Sequence, residues 1–231
     1  MRVLLLLVLL PALLGPGLTA AQPLYAAVPE YRVLSSTETD SFEPALLEAL
    51  GGALGQAIAV TPQPGSADLQ LGPAGTGPRY YQALPAALTA SEGGVADWQQ
   101  LRNQPVCLSA ASPYAQLVVQ RFGAQPRDYP STAHALIGLK LGECRAVVDD
   151  QRLLTELSVL PEWRRYNSLL PGLPEGEQTL RITAPDAQLQ LRIDGLLAQW
   201  QEKGRLEDLI QFWIDEVAFQ AYVLADTLDC H

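Results

Sequence analysis

The feature that most constrains the fold of this chain is a regular alternation of short strand-like runs with longer helical patterns. The strand-like runs lie at residues 31–35, 57–61, 68–72, 83–89, 106–109, 146–149, 166–170 and 179–183. The helical patterns lie at residues 44–54, 113–122, 131–141, 151–159, 187–202 and 205 to about 228. This alternation predicts an α/β fold in which helices cover the faces of mostly parallel sheets.

The composition predicts a globular, acidic protein with ordered cores. Of the 231 residues, 48% are hydrophobic and only 17% are charged, which is enough apolar material for two small domains. The formal net charge is -10. Binding to nucleic acid needs a basic surface that displaces counterions from phosphates, so we expect no nucleic-acid partner. The same charge disfavours anionic membrane surfaces.

The first 21 residues predict a secretory signal peptide that is removed on export. Arg2 supplies the positive charge, residues 3–14 are an apolar run, and Ala20 and Ala21 are small residues suited to a cleavage site. The run is interrupted at Pro11 and is shorter than the roughly 20 residues that span a bilayer. No cysteine follows the cleavage region, so we expect a periplasmic or secreted protein without a lipid anchor.

The three cysteines leave their pairing open at this point. In an exported protein, one disulfide would leave the third thiol free or joined to another chain, and three unlinked thiols are the alternative. His134 and His231 are the only histidines in the sequence, and neither has the spacing of a zinc site. We therefore expect no metal and no other cofactor.

Three segments stand in a distinctive order along the chain. Residues 97–108 look like a short helix that leads into a strand, and residues 142–150 look like a strand that ends in a carboxylate. A closing helical hairpin has the pattern Leu197-x-x-Trp200-x-x-Lys203-Gly204-x-Leu206-x-x-Leu209-Ile210-x-x-Trp213. In this order the segments resemble the type II periplasmic solute-binding proteins, in the polar amino-acid branch of the extracellular solute-binding proteins.

The resemblance implies a two-lobed α/β architecture. Each lobe would be a mostly parallel sheet flanked by helices, and two crossover strands would join the lobes. Lobe 1 would be discontinuous, from residues 22–84 and 182–231, with lobe 2 at residues 85–181 inserted between its parts. Ligands in such proteins lie in the crevice where the carboxyl ends of the strands converge.

The resemblance also implies ligand-binding residues on lobe 2. Asp150 matches the position whose carboxylate receives the ammonium group of the ligand, although it could instead cap the helix that begins near Gln151, and one residue can do both. Ser112 and Tyr114 lie in a small-residue loop at the start of a helix, where backbone amides can hold a carboxylate. Ser112 as a plain helix cap is the alternative, and Pro113 removes one donor.

On lobe 1 the resemblance implies a trimmed wall. Thr76 and Arg79 match a motif in which arginine grips the ligand carboxylate, but Arg79 also matches the aromatic segment that enters the first crossover, and both alignments cannot hold. Typical members have a β-hairpin between residues 36 and 42 that this chain lacks. Thr37 could still line the wall, although a solvated turn is the alternative.

The resemblance further implies that Cys107 and Cys144 lie on neighbouring parallel strands and could form a disulfide. It implies a monomeric binding protein that captures a small polar solute, such as an amino acid or related zwitterion, for the permease of an ABC-type membrane transporter. The alternative is a degenerate fold that serves as a protein-interaction or sensory module, because lobe 1 is trimmed and a helical tail from Val217 extends beyond the usual end.

Catalysis is not expected. A few proteins of this fold are exported dehydratases, and Asp149 and Asp150 are candidate acid and base groups. Adjacent residues of a strand point to opposite faces, so these two carboxylates cannot act together. The sequence has no nucleophile elbow, phosphate-binding glycine loop or Cys-His pairing. We therefore expect a binding protein and no enzyme.

Overall fold

The computed structural model describes residues 22–29 and 42–228, and it contains ten strands in two five-stranded sheets. The strands are β1 (Leu24–Ala27), β2 (Ile58–Val60), β3 (Leu69–Gly72), β4 (Arg79–Ala83), β5 (Pro85–Thr89), β6 (Pro105–Ser109), β7 (Gln125–Tyr129), β8 (Ala146–Asp150), β9 (Ser168–Leu170) and β10 (Gln178–Thr183). The first sheet has the order β2-β1-β3-β10-β4, and the second has the order β7-β6-β8-β5-β9.

Within the described residues, six α-helices cover the sheets. They are α1 (Phe42–Leu54), α2 (Ala115–Phe122), α3 (Thr132–Lys140), α4 (Gln151–Ser158), α5 (Ala187–Glu202) and α6 (Arg205–Leu228). Short 3₁₀ helices lie at Pro64–Ser66, Trp98–Leu101, Pro161–Trp163 and Pro174–Gly176. Among the described helices, none has both the length and the apolar character needed to cross a bilayer.

Strand direction confirms the expected fold class. In the first sheet β10 is antiparallel to both of its neighbours, and in the second sheet β5 is antiparallel to both of its own. The other four strands of each sheet therefore share one direction. The chain crosses from the first sheet to the second at Leu84, between β4 and β5, and returns between β9 and β10. Two sheets flanked by helices and joined by two crossings form the predicted two-lobed architecture.

The helix boundaries follow local chemistry. Ser131 caps α3 by accepting a hydrogen bond from the backbone N–H of His134, and Asp186 caps α5 by accepting from the N–H of Leu189 at 2.7 Å. Gly204 adopts a positive φ of 73° between α5 and α6, which ends one helix and starts the next. These signals are local in sequence, and the predicted bounds of α5 and α6 match the structure.

Other expectations need correction. The predicted strand at 83–89 is interrupted at Leu84, where the chain passes between sheets, and the helix expected at residue 113 begins at Ala115 after a turn. The expected lobe boundary at 181–182 lies within β10, and the division into lobes at these residues stays a prediction. The signal peptide at 1–21, the strand at 31–35, Thr37 and Cys230 lie outside the described residues.

Two hydrophobic cores organise the packing. The first core is continuous from the first sheet through α6 to the face of the second sheet covered by α3 and α4, with Leu46, Leu136 and Trp213 among its members. The second core covers the opposite face of the second sheet and contains Trp98 and Phe122. Helix α6 packs against α1, α3, α4 and α5, so it contacts the helices of both sheets.

A disulfide joins Cys107 to Cys144 in the second sheet, with a Cα–Cα distance of 5.8 Å. Cys107 lies on β6, whereas Cys144 lies in the loop before β8 and not on a strand, which corrects the expected placement. The bond is buried beside Tyr129, whose hydroxyl donates a hydrogen bond to Glu143. Burial, and then the hydrogen bond and charge of Glu143, raise the pKa of Tyr129 above its usual value.

Candidate functional site

The carboxyl ends of parallel strands from both sheets meet at the region between the lobes. Strand β4 runs out of the first sheet into this region, and β1, β2 and β3 share its direction. Strand β5 leads away from it, and β6, β7, β8 and β9 run in the opposite direction to β5, back toward the crossing. Open α/β sheets bind their ligands at such carboxyl ends. Side chains that follow these strands are therefore the candidates for a site.

Asp150 ends β8 at this place and is 2% exposed. It pairs with Pro85 in the strand register, directly after the crossing residue Leu84. Tyr81 on β4 of the first sheet donates its hydroxyl to Asp150 Oδ2 at 2.8 Å. Tyr114, on the second-sheet side, donates its hydroxyl to Asp150 Oδ1. The carboxylate thus receives one donor from each side of the interface.

The capping alternative for Asp150 does not describe its side chain. Asp150 holds the N-cap position of α4, but its carboxylate makes no capping hydrogen bond. An N-cap aspartate satisfies an orphan N–H of the first turn, whereas this carboxylate faces two tyrosine hydroxyls.

Ser112 and Tyr114 lie beside each other in the turn before α2. The hydroxyl of Ser112 accepts a hydrogen bond from the backbone N–H of Tyr114 at 3.3 Å, and Ala111 adopts a positive φ of 56°. Ser112 therefore stabilises the turn and does not occupy the N-cap position, which belongs to Tyr114. The side chain of Tyr114 is buried and contacts Asp150, so two of the predicted residues are brought together.

Arg79 and Thr76 lie at the exposed start of β4 and in the turn before it. Arg79 donates to the side chain of Gln82 and lines a cavity of about 220 Å³ near the turn between α5 and α6. Arg152 and Glu207 line the same cavity. Arg79 therefore lines this cavity and bonds to Gln82, whereas the carboxylate of Asp150 bonds to Tyr81 and Tyr114.

A second polar group at the same strand ends joins Asp149, which the sequence indicated only as a candidate acid or base, to the start of α3. Thr132 donates its hydroxyl to Asp149 Oδ2 at 2.6 Å, and Asp149 Oδ1 accepts the backbone N–H of Asp150 at 2.7 Å. Ser131 is buried, and its hydroxyl lies 2.9 Å from His134 Nδ1. The sequence indicates residue 131 only as the start of a helix, because no local pattern links it to Asp149.

Aromatic side chains form the first-sheet side of the interface. Phe42 packs against Tyr81 with ring centroids 5.4 Å apart, and Trp213 of α6 meets Tyr81 edge-on at 6.0 Å. Tyr80 donates its hydroxyl to the buried carboxylate of Glu43 at 3.2 Å. One sequence signal points to this group, because Glu43 is an acidic residue in the otherwise apolar first turn of α1.

Across residues 22–29 and 42–228, no group of three or more His, Cys, Asp or Glu side chains is arranged to hold a metal ion. Asp149 and Asp150 direct their carboxylates to different partners, Thr132 in one case and the two tyrosines in the other. The arrangement offers a buried anionic acceptor between two lobes.

Comparison with known proteins shows the fold. The structure is similar to the amino acid ABC transporter substrate-binding protein AbpA of Streptococcus pneumoniae bound to L-arginine, with 16% identity, a TM-score of 0.60, and coverage of 85% of this chain and 96% of that one. It is also similar to a periplasmic binding protein of an arginine third transport system from Legionella pneumophila, with 14% identity, a TM-score of 0.55, and coverage of 84% and 100%.

A third similar structure is the ancestral amino-acid-binding protein AncCDT-1, described as a precursor of cyclohexadienyl dehydratase, with 15% identity, a TM-score of 0.58, and coverage of 84% and 95%. No protein-family model and no curated protein sequence matches the chain. At these identities the likeness establishes the two-lobed type II periplasmic-binding fold.

Proposed function

We propose that this protein is an exported solute-binding protein, which captures a small zwitterion such as an amino acid between its two lobes and presents it to an ABC-type transporter. The observation that carries the proposal is the position of Asp150, a buried carboxylate at the interlobe ends of the strands that receives a hydroxyl from each side. We extend the proposal to a periplasmic location, which the signal peptide expected at residues 1–21 supports.

The chemistry of the carboxylate favours a cationic ligand group. An ammonium carries a full positive charge, so its hydrogen bond to a carboxylate gains an ion-pair attraction that the neutral hydroxyl of a tyrosine does not supply. Its attraction to a carboxylate is also larger in a buried site than in water. An ammonium that reaches Asp150 therefore competes well with a tyrosine hydroxyl for the same oxygen.

The position of Tyr81 supports coupling between binding and lobe movement. Tyr81 belongs to the first sheet and Asp150 to the second, so a ligand group that replaces or joins this hydrogen bond changes a contact between lobes. A ligand shifts an equilibrium between conformations only by its differential contacts with them. The Tyr81–Asp150 contact supplies such a difference.

Binding rather than catalysis accounts better for the polar groups. Two carboxylates that act as acid and base must address the same substrate, and Asp149 is directed to Thr132 while Asp150 is directed to Tyr81 and Tyr114. The similar structures include proteins described as bound to arginine and as part of an arginine transport system. That ligand class, with an ammonium and a carboxylate, fits a buried acidic acceptor.

The proposal is tested by thermal unfolding with a panel of amino acids, amines and small carboxylates. A ligand at about one hundred times its Kd should raise the Tm by roughly 5 to 10 °C, and Asp150→Asn should abolish the shift because the amide loses the charge that attracts ammonium. Asp128→Asn is the matched control, since Asp128 is exposed on the edge strand of the same sheet.

Calorimetric titration of the folded Asp150→Asn variant separates loss of binding from loss of stability. Asp150→Glu, which keeps the charge, should retain a weakened response. The proposal fails if no compound of the panel shifts the Tm of the wild-type protein, or if Asp150→Asn binds as tightly as Asp128→Asn.

A further inference from the structure

Helix α6 has a buried face and an exposed face, and both are apolar. The buried face packs Trp213, Ile214 and Val217 into the first core. The exposed face carries an outer stripe of large apolar side chains, defined here as Phe212 (54% exposed), Phe219 (61%), Tyr222 (54%) and Val223 (42%). A surface helix of a globular protein ordinarily places polar residues opposite its buried face. Packing among residues 22–29 and 42–228, the part that the structure describes, therefore does not account for the outer stripe.

The members of the outer stripe lie on one line along the helix. Phe219 follows Phe212 by seven residues, two helical turns, and Val223 follows by four more. At 1.5 Å per residue the stripe from Phe212 to Val223 is roughly 17 Å long. Single exposed apolar residues are common, but an aligned group with aromatic rings marks an interaction surface.

Acidic side chains accompany the outer stripe. Three aspartates of α6 are exposed. Asp208 lies four residues before Phe212, Asp215 lies three residues after Phe212, and Asp226 lies four residues after Tyr222. These spacings place the three aspartates on the same face of the helix as the outer stripe. After Arg205 the sequence contains no lysine or arginine. The carbonyl end of a helix favours cations, yet the last turn of α6 carries Asp226 and no basic residue. The exposed face is thus both aromatic and negatively charged.

We propose that the outer stripe of α6 is a docking surface for a basic amphipathic helical segment of a partner protein. An apolar seam flanked by lysine or arginine would bury Phe212, Phe219 and Tyr222 and neutralise the three aspartates. Complementary charge of this kind speeds association and selects the partner. Apolar anchors spaced by three, four and seven residues are the usual contacts between two helices.

The charge also decides between possible occupants. A second copy of this chain would bring together two helices that each carry three exposed aspartates and no lysine or arginine after Arg205, and like charges at an interface cost free energy. An anionic lipid surface would repel the same aspartates. A basic partner segment meets neither obstacle. The surface lies on the opposite side of α6 from Trp213, which packs against Tyr81, so this inference goes beyond solute binding.

The test uses the intact protein and two synthetic peptides. One is a fluorescein-labelled peptide of lysine and leucine, roughly 18 residues or five turns long and patterned as an amphipathic helix. The other has glutamate in place of lysine. Fluorescence anisotropy should show saturable binding of the lysine peptide and none of the glutamate peptide. Binding of the lysine peptide should weaken with rising salt.

Variants locate the contact. Phe212→Ser with Phe219→Ser should raise the Kd for the lysine peptide by at least about tenfold, because aromatic anchors carry most of the affinity of such interfaces. Leu191→Ser on α5 is the matched control, since Leu191 is 71% exposed but lies outside the outer stripe. A triple variant should bind the lysine peptide more weakly and with a smaller salt dependence; its substitutions are Asp208→Asn, Asp215→Asn and Asp226→Asn. Melting curves verify that each variant is folded.

Four outcomes overturn the inference. The first is an unchanged Kd for the double phenylalanine variant, and the second is an equal loss of binding for Leu191→Ser. The third is a dimer in sedimentation that the double variant dissociates, which assigns the surface to a second copy. The fourth is binding to anionic vesicles that depends on Phe219, which assigns it to a membrane.

Discussion

The two hydrophobic cores of this protein differ in how far they extend. The second core stays on one face of the second sheet, where Trp98 stacks on Phe122 with centroids 5.1 Å apart. The first core runs from the first sheet through α6 to the other face of the second sheet. The hydrogen-bonding plan of the two sheets is nearly the same, so strand topology alone does not explain the difference. Helix α6 causes the difference between the two cores, because it packs on helices of both sheets.

This difference shows that two sheets need not be two independent bodies. The candidate site lies where the sheets meet, and the first core backs it through Phe42, Tyr81 and Trp213. Movement between the lobes therefore changes contacts of α6 with at least one sheet. The second core has no such role and can remain intact while the lobes move.

The largest expected effect comes from removing one tryptophan from each core. Trp213→Ala and Trp98→Ala should each lower the free energy of unfolding by about 3–5 kcal/mol, because each leaves a large cavity. Urea unfolding measures the loss. Trp213→Ala should reduce amide hydrogen-exchange protection in both sheets, whereas Trp98→Ala should reduce it in the second sheet alone. Protection lost only in the first sheet after Trp213→Ala would contradict a core that spans both.

A smaller effect is expected from the two tyrosines that donate to Asp150. Tyr81→Phe and Tyr114→Phe each remove a buried hydrogen bond to a carboxylate, which should cost about 1–3 kcal/mol. Tyr81→Phe removes a bond between sheets, so it should also increase the radius of gyration measured by small-angle X-ray scattering. Tyr114→Phe removes a bond on the second-sheet side and should not. Equal radii for the two variants would mean that Tyr81 does not hold the lobes together.

The smallest expected effect concerns two partly exposed ion pairs. Arg152 of α4 pairs with Glu207 of α6 and thus joins helices of the two sheets, whereas Arg121 pairs with Glu175 beside the second sheet. Arg152→Ala should cost about 0.2–1 kcal/mol, and 1 M salt should remove most of the difference. Arg121→Ala is the control. If Arg152→Ala changes the ligand affinity and Arg121→Ala does not, the result would support a role of α6 in coupling the two lobes.

The parts of the fold that could be predicted from sequence are those with strong local signals. Helices α5 and α6 have regular apolar stripes and a glycine between them, so both bounds were predicted. Strand β7 was missed because Pro126, Arg127 and Asp128 give it no apolar alternation, and it is held as an edge strand by pairing with β6. Tertiary pairing overrides propensity in such strands.

The candidate site was predictable only in part for the same reason. Asp150 follows an apolar strand, and that local pattern placed a carboxylate at a strand end. Its partner Tyr81 is 69 residues away in sequence, and no periodicity connects them. The disulfide between Cys107 and Cys144 followed from the family resemblance and not from spacing. Contacts between distant segments are set by the packing of whole elements, which a pattern in one segment does not contain.

The place of β10 in the first sheet sets an order of assembly. Strand β10 lies between β3 and β4, so the first sheet cannot close until the chain up to residue 183 has been synthesised. Strands β5 to β9 are contiguous along the chain and need nothing that comes after Leu170 to pair with one another. Domains generally fold as units in the order in which they emerge. The inserted lobe is therefore the first to be complete, and the lobe that contains β1 is the last.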